Sequence, residues 1–115
     1  MELFREMITF EEYVQTDDPC DIYYFIIEKE LLDDIVQRNY ETAIQGCLCI
    51  ELDGDGNLLN AAVSPTEYDE SEDCLVDFDW TDIDITEDEL KMLMEIAREG
   101  MMLQTLITKI FLKEK

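Results

Sequence analysis

The chain of 115 residues contains no histidine, and it has only four glycines and two prolines. Without histidine the commonest general base is missing, and neither a Ser-His-Asp nor a Cys-His arrangement can be assembled within the chain. The glycines match neither a P-loop nor a dinucleotide-binding pattern, so nucleotide chemistry is not expected. These absences predict a non-enzymatic protein that carries no cofactor.

Positive charge is also scarce, since 8 Lys and Arg stand against 30 Asp and Glu, for a net charge of -22. Residues 39–90 include 16 Asp and Glu but no Lys or Arg, and the charge reverses to +2 from Lys91 onward. A strong negative potential repels phosphates and anionic lipid headgroups over about 8 Å at physiological salt. The sequence therefore predicts no direct binding to nucleic acid or membranes and favours a basic protein surface as the partner.

The chain lacks any run of about 18 uncharged apolar residues, and its N-terminus lacks the basic and apolar regions of a signal peptide. We therefore expect a cytoplasmic protein, with its four cysteines reduced and buried as small apolar residues. A hydrophobic content of 47% is enough for a folded core rather than an acidic tail. The length predicts a single domain over residues 1–115.

Two helix starts are predicted near the N-terminus. Residues 9–12 form a capping box, which favours a short helix at 10–15. Asp18 and Pro19 suit the cap and first position of a second helix that runs toward Arg38. The apolar run at 22–27 is also rich in strand-forming residues, but its periodicity leads us to favour the helix.

The middle of the chain shows the two-residue alternation of strands. We expect strands at 42–52, 58–63 and 74–80, with a tight turn at 53–57 and a surface loop at 64–73. The third strand must end or bulge near residues 80–82, because Ile83 and Ile85 have the opposite phase to Val76 and Phe78. The turn imitates the start of an EF-hand loop, but Leu58 replaces its glycine, so a plain hairpin turn is favoured.

Thr86 and Glu89 form a second capping box, which predicts a helix that begins at Glu87. A polar stripe argues that this helix continues through Gly100, although Gly100 as a C-cap is the alternative. On the continuous helix Met102 and Leu106 become an exposed apolar pair, which predicts a homodimer contact. The predicted fold is therefore an α+β domain of order α-α-β-β-β-α, a three-stranded antiparallel meander packed with helices.

The densest acidic segment holds 12 Asp and Glu between residues 67 and 89. Our leading interpretation is an acidic face that binds a basic protein, although the same charge also serves solubility. This predicted face consists of Glu67, Asp69, Glu70, Glu72, Asp73, Asp77, Asp79, Asp82 and Asp84.

Two further functions are consistent with this charge. A domain of this length spans about 34 Å, and B-DNA of that length carries roughly 20 phosphates, so the protein is a candidate nucleic-acid mimic that inhibits a DNA- or RNA-binding protein. Alternatively, Asp77 and Asp79 lie about 7 Å apart on one strand face and, with Asp82 and Asp84, form a divalent-metal site or an acid and base pair.

Overall fold

The computed structural model describes residues 3–16 and 20–113, and side chains as far as residue 107. A curled antiparallel sheet of order β1-β2-β3-β4-β5 forms the body, and a short β6 also pairs with β4. Two helices complete the fold. After a 3-10 turn at Arg5–Met7, the elements are β1 (Ile8–Gln15), β2 (Cys20–Ile27), α1 (Lys29–Val36), β3 (Gln45–Asp53), β4 (Leu58–Asp69), β5 (Cys74–Asp77), β6 (Thr81–Asp82) and α2 (Glu87–Lys113).

The predicted three-stranded meander of order α-α-β-β-β-α is wrong, because the observed order is β-β-α-β-β-β-β-α. The error begins at residues 9–12, where the expected capping box lies inside β1. Phe10 pairs with Phe25 and Tyr13 pairs with Tyr23 across β1 and β2. Burial of the Phe10 and Phe25 side chains stabilises the sheet by about 1.5–3 kcal/mol each, whereas a helix cap contributes about 1 kcal/mol.

The second predicted helix is divided between a strand and a helix. Cys20–Ile27 forms β2 between β1 and β3, and only Lys29–Val36 is helical. Every side chain of this strand is buried or half-buried, so both of its faces accommodate apolar residues, which explains why the segment lacks clean alternation. The predicted cap and first residue, Asp18 and Pro19, lie outside the described residues.

The hairpin of β3 and β4 confirms the predicted turn at residues 53–57. The Asp53 carboxylate accepts hydrogen bonds from the backbone N–H groups of Asp55 and Asn57, at 2.9 and 2.8 Å. These bonds, with Asn57 as the largest contributor, lower the pKa of Asp53. The loop expected at 64–73 is wrong, because β4 continues to Asp69.

One face of the sheet carries the core. Phe10, Phe25, Leu48 and Val63 are paired in a row across the first four strands, and all four are buried. Leu31 and Leu32 of α1, with Leu93, Ile96 and Ala97 of α2, belong to the same apolar cluster.

Helix α2 begins where the sequence predicts. Thr86 Oγ1 accepts the Glu89 N–H at 3.1 Å, and the Thr86 N–H donates to Glu89 Oε1 at 2.8 Å. The helix then runs without interruption through Gly100, so Gly100 is not a C-cap. In the described part of the chain, neither helix has the length and apolar character needed to cross a membrane.

Candidate functional site

Strands β5 and β6 pair with the same side of β4, but one extra residue separates them. Asp77 pairs with Thr66 and Thr81 pairs with Val63, so the three residues 78–80 lie opposite only two residues of β4, Ser64 and Pro65. Asp79 adopts a left-handed φ of 58° in the break, and the Ser64 hydroxyl donates to the Phe78 carbonyl. The predicted bulge is confirmed, slightly upstream of 80–82. It leaves the Phe78 and Trp80 side chains partly exposed instead of continuing the strand alternation.

The opposite edge of the sheet also carries a bulge. Register in β1 shifts between Phe10 and Glu12, so Glu11 is the extra residue. Bulges increase local twist, and the curled sheet brings β1 near β5 on the face away from α2. Between them lies an open depression of about 560 Å³, hereafter the acidic depression. It is lined by Glu11, Glu12, Val14, Tyr24, Cys47, Val76, Asp77 and Trp80.

Electrostatic repulsion acts within the acidic depression. Partial burial, followed by the charges of Asp77 and Glu12, raises the pKa of Glu11. Burial, followed by the charges of Asp77 and Glu11, raises the pKa of the Cys47 thiol. Asp77 itself accepts a hydrogen bond from Thr66 Oγ1 at 2.6 Å. A cation that entered the depression would relieve the repulsion between these carboxylates.

The raised pKa of Glu11 predicts the pH dependence of stability. Because the folded-state pKa exceeds the ordinary value of 4.5, protonated Glu11 stabilises the fold below about pH 4.5. This contribution is lost as the pH rises through the folded-state pKa. We therefore expect Glu11→Gln to raise the free energy of unfolding at neutral pH, with a difference that shrinks below pH 4.5.

Urea titrations across this pH range would measure the difference in unfolding free energy between the native chain and Glu11→Gln, with Glu70→Gln at the exposed β4–β5 turn as the control. A Glu11→Gln difference that grew toward low pH would contradict the assignment.

The nine acidic residues of the predicted face lie on several elements. Five of them accept hydrogen bonds or form ion pairs within the chain, among them Asp79, which lies 3.6 Å from Arg38. The others are exposed at the β4–β5 turn, in β6 and before α2. The internal partners are Thr42 for Glu67, Ser71 for Asp69, Tyr68 for Asp73, Thr66 for Asp77 and Arg38 for Asp79, whereas Glu70, Glu72, Asp82 and Asp84 are exposed.

The geometry assumed for a metal site is wrong. β5 ends at Asp77 and Asp79 lies in the break, so the two side chains do not share one strand face. Among the residues that the structure describes, no group of three or more Cys, Asp or Glu is placed to hold a metal ion. The interpretation of Asp77, Asp79, Asp82 and Asp84 as metal ligands therefore loses its geometric basis.

The cysteines differ from the expected set of buried thiols. Cys47 is buried, Cys20 and Cys49 are half-buried, and Cys74 is exposed. Cys20 Sγ lies 3.1 Å from Glu51 Oε1, and this hydrogen bond is the main cause that raises the Cys20 pKa to about 11. A nucleophilic cysteine requires a lowered pKa, so Cys20 and Cys47 are not activated thiols.

Glu11, Glu12 and Trp80 line the depression, but the sequence did not indicate them as site residues. The sequence predicts a helix for the two glutamates and places Trp80 at the end of the third strand, where the strand is expected to end or bulge. The aromatic and β-branched residues around Glu11 and Glu12 were the available strand signal. No local pattern indicates that β1 and β5 approach each other, because this depends on the curl of the sheet.

Comparisons of the chain with models of known protein families, with curated proteins and with solved structures find no match. The function must therefore be inferred from the surfaces of this fold.

Proposed function

We propose that the protein is a non-enzymatic binding protein whose acidic depression receives a basic segment of another protein. The observation that carries this proposal is the position of Trp80 beside Glu11, Glu12 and Asp77 in one concavity. Trp80 is 45% exposed, although it is the largest apolar side chain of the fold. Tryptophan is enriched among the residues that dominate protein interfaces.

The combination of an aromatic ring and carboxylates suits an arginine or lysine side chain. A guanidinium or ammonium group is attracted to the face of tryptophan and pairs with carboxylates. A surface that served only solubility would not need a half-exposed tryptophan among its acids. The exposed Tyr68, Leu75 and Phe78 on neighbouring parts of β4, β5 and the break add further apolar contact area.

The proposal is tested by titrating the protein with an arginine-containing oligopeptide and following tryptophan fluorescence. Trp80 is the only tryptophan in the chain, so its emission reports on the depression alone. We expect a saturable change that weakens as salt is added, because the contacts are between charges. An acidic peptide of the same length serves as the negative control.

A matched pair of double variants distinguishes site binding from attraction to a polyanion. Glu12→Gln with Asp77→Asn removes two charges from the depression, whereas Glu70→Gln with Glu72→Gln removes two charges from the exposed turn. The first is expected to weaken binding by about tenfold, equivalent to about 1.4 kcal/mol. The second is expected to have little effect. Equal weakening by both pairs would reject the depression as the binding site.

A further inference from the structure

The second half of α2 extends beyond the core. Leu93 and Ala97 are buried against the sheet, and Gly100 meets Phe10, but the 13 residues from 101 to 113 continue for about 20 Å. Apolar side chains are exposed along this extension, which we call the α2 overhang. They are Met102, Leu103, Leu106 and Ile107.

Along one side of α2, two exposed glutamates are followed by two exposed apolar residues and, further along the sequence, by two lysines. The Glu95 and Glu99 side chains are 57% and 69% exposed, and Met102 and Leu106 are 67% and 55% exposed. In sequence, Lys109 and Lys113 continue the same alternation of four- and three-residue steps. Alternating steps of four and three residues are typical of the positions that face the partner helix in a coiled coil. We call these six positions the α2 stripe.

The α2 stripe is complementary to itself when reversed. Positions equally distant from residue 104 are Glu95 with Lys113, Glu99 with Lys109, and Met102 with Leu106. An antiparallel pair of helices places these positions in common layers, with apolar residues at the centre and opposite charges outside. A parallel pair would instead place glutamates against glutamates and lysines against lysines, which is destabilising.

We propose that a second copy of this chain covers the α2 overhang as an antiparallel helix pair centred on residue 104. The contact is isologous, so each copy supplies both the acidic and the basic end of the stripe. Arg5 pairs with Oε2 of Glu95 and of Glu99, and both glutamate side chains remain more than half exposed and therefore accessible to a partner.

This arrangement also limits repulsion between the two acidic bodies. The sequence from Gly100 to Lys113 contains no acidic residue, so the overhang lacks the charge that dominates the body. In the antiparallel pair, residue 95 of each copy lies beside residue 113 of the other. The segments of α2 that pack on the sheet are then centred about 27 Å apart along the helices.

Charge reversal tests whether a second copy of the chain pairs with the α2 stripe through opposite charges. Glu95→Lys with Glu99→Lys makes every charged stripe position basic, and Lys109→Glu with Lys113→Glu makes every one acidic. Each double variant alone is expected to be monomeric, whereas their equimolar mixture is expected to dimerise. The native chain is expected to show twice the single-chain mass by analytical ultracentrifugation, with circular dichroism to confirm that each variant is folded.

A second experiment replaces pairs of exposed apolar residues by glutamate. Met102→Glu with Leu106→Glu is expected to abolish the dimer, whereas Ile44→Glu with Leu59→Glu, at equally exposed apolar positions elsewhere, is expected to retain it. A native chain that stays monomeric at high concentration would overturn the proposal. A mixture of the two charge variants that stays monomeric would overturn the pairing of opposite charges along the α2 stripe.

Discussion

Replacing Phe25 by alanine is expected to lower the free energy of unfolding by about 3–5 kcal/mol. Phe25 is completely buried in β2, between Phe10 and Leu48 in the row of paired core residues. Its ring packs edge-on against Phe10 with centroids 6.0 Å apart, a geometry that contributes beyond buried area. Because small domains are stable by only about 5–15 kcal/mol, this loss is a large fraction of the total.

Urea denaturation at a concentration where the chain is monomeric would measure the Phe25→Ala effect, and an unchanged slope would show that the unfolding transition itself is intact. Phe4→Ala is the matched control, because Phe4 is exposed and its loss leaves no core cavity. We expect a change within about 0.5 kcal/mol there. Equal midpoint shifts for both variants would show that Phe25 does not occupy the core.

Replacing Gly100 by alanine is expected to lower the free energy of unfolding by about 1–3 kcal/mol, as in other overpacked cores. A Cβ atom at Gly100 would lie 2.7 Å from both Cβ and Cδ2 of Phe10. The Phe10 Cβ is attached directly to the backbone of β1, so rotation of the ring cannot relieve that contact. Helix α2 must therefore move away from the sheet to accept the methyl group.

The sign of the change in unfolding free energy caused by Gly100→Ala tests the close approach of α2 to β1. At an unconstrained position inside a helix, the same substitution would raise stability by about 1 kcal/mol through helix propensity. Thermal and urea unfolding of Gly100→Ala and Gly100→Leu should show a graded loss, larger for leucine. Thr105→Ala, at an exposed position of the same helix, is the control. A stabilised Gly100→Ala would mean that β1 and α2 do not approach closely at this point.

The elements predicted correctly are those whose stabilising contacts lie within a few residues. Thr86 and Glu89 satisfy each other's backbone groups at the start of α2. In the turn between β3 and β4, the Asp53 carboxylate likewise accepts hydrogen bonds from the backbone N–H groups of Asp55 and Asn57. Caps and turns of this kind can be predicted from a few neighbouring residues, because the chain itself holds the hydrogen-bonding atoms near one another.

The elements predicted wrongly are those decided by distant partners. A cap at Thr9 stabilises a helix by about 1 kcal/mol, whereas burial of Ile8 and Phe10 contributes about 1.5–3 kcal/mol each. That burial requires β2 beside β1 and α2 packed against β1. Burial against distant segments also outweighs the local helix signal at Cys20–Ile27, which forms a strand instead of the predicted helix.

The candidate site was predicted in part. The excess of acids, and Asp77 among them, follows from the sequence, as does an interruption of the strand, which is predicted near residues 80–82 and lies after Asp77. The contribution of Glu11 and Glu12 does not, because more than 60 residues separate them from Asp77. Their proximity results from a bulge in β1 and from the curl of the sheet between β1 and β5.

By itself, the sequence determined the charge, the start and continuity of α2, the turn at residues 53–57 and the self-complementary order of the α2 stripe. These properties depend on residue identity and short spacing alone. Only the tertiary structure decided that residues 8–15 and 20–27 form strands, that two glutamates of β1 line the same depression as Trp80, and that α2 leaves the sheet near Gly100. Each of these depends on surfaces buried between segments far apart in the chain, and the energy of that burial exceeds any local preference.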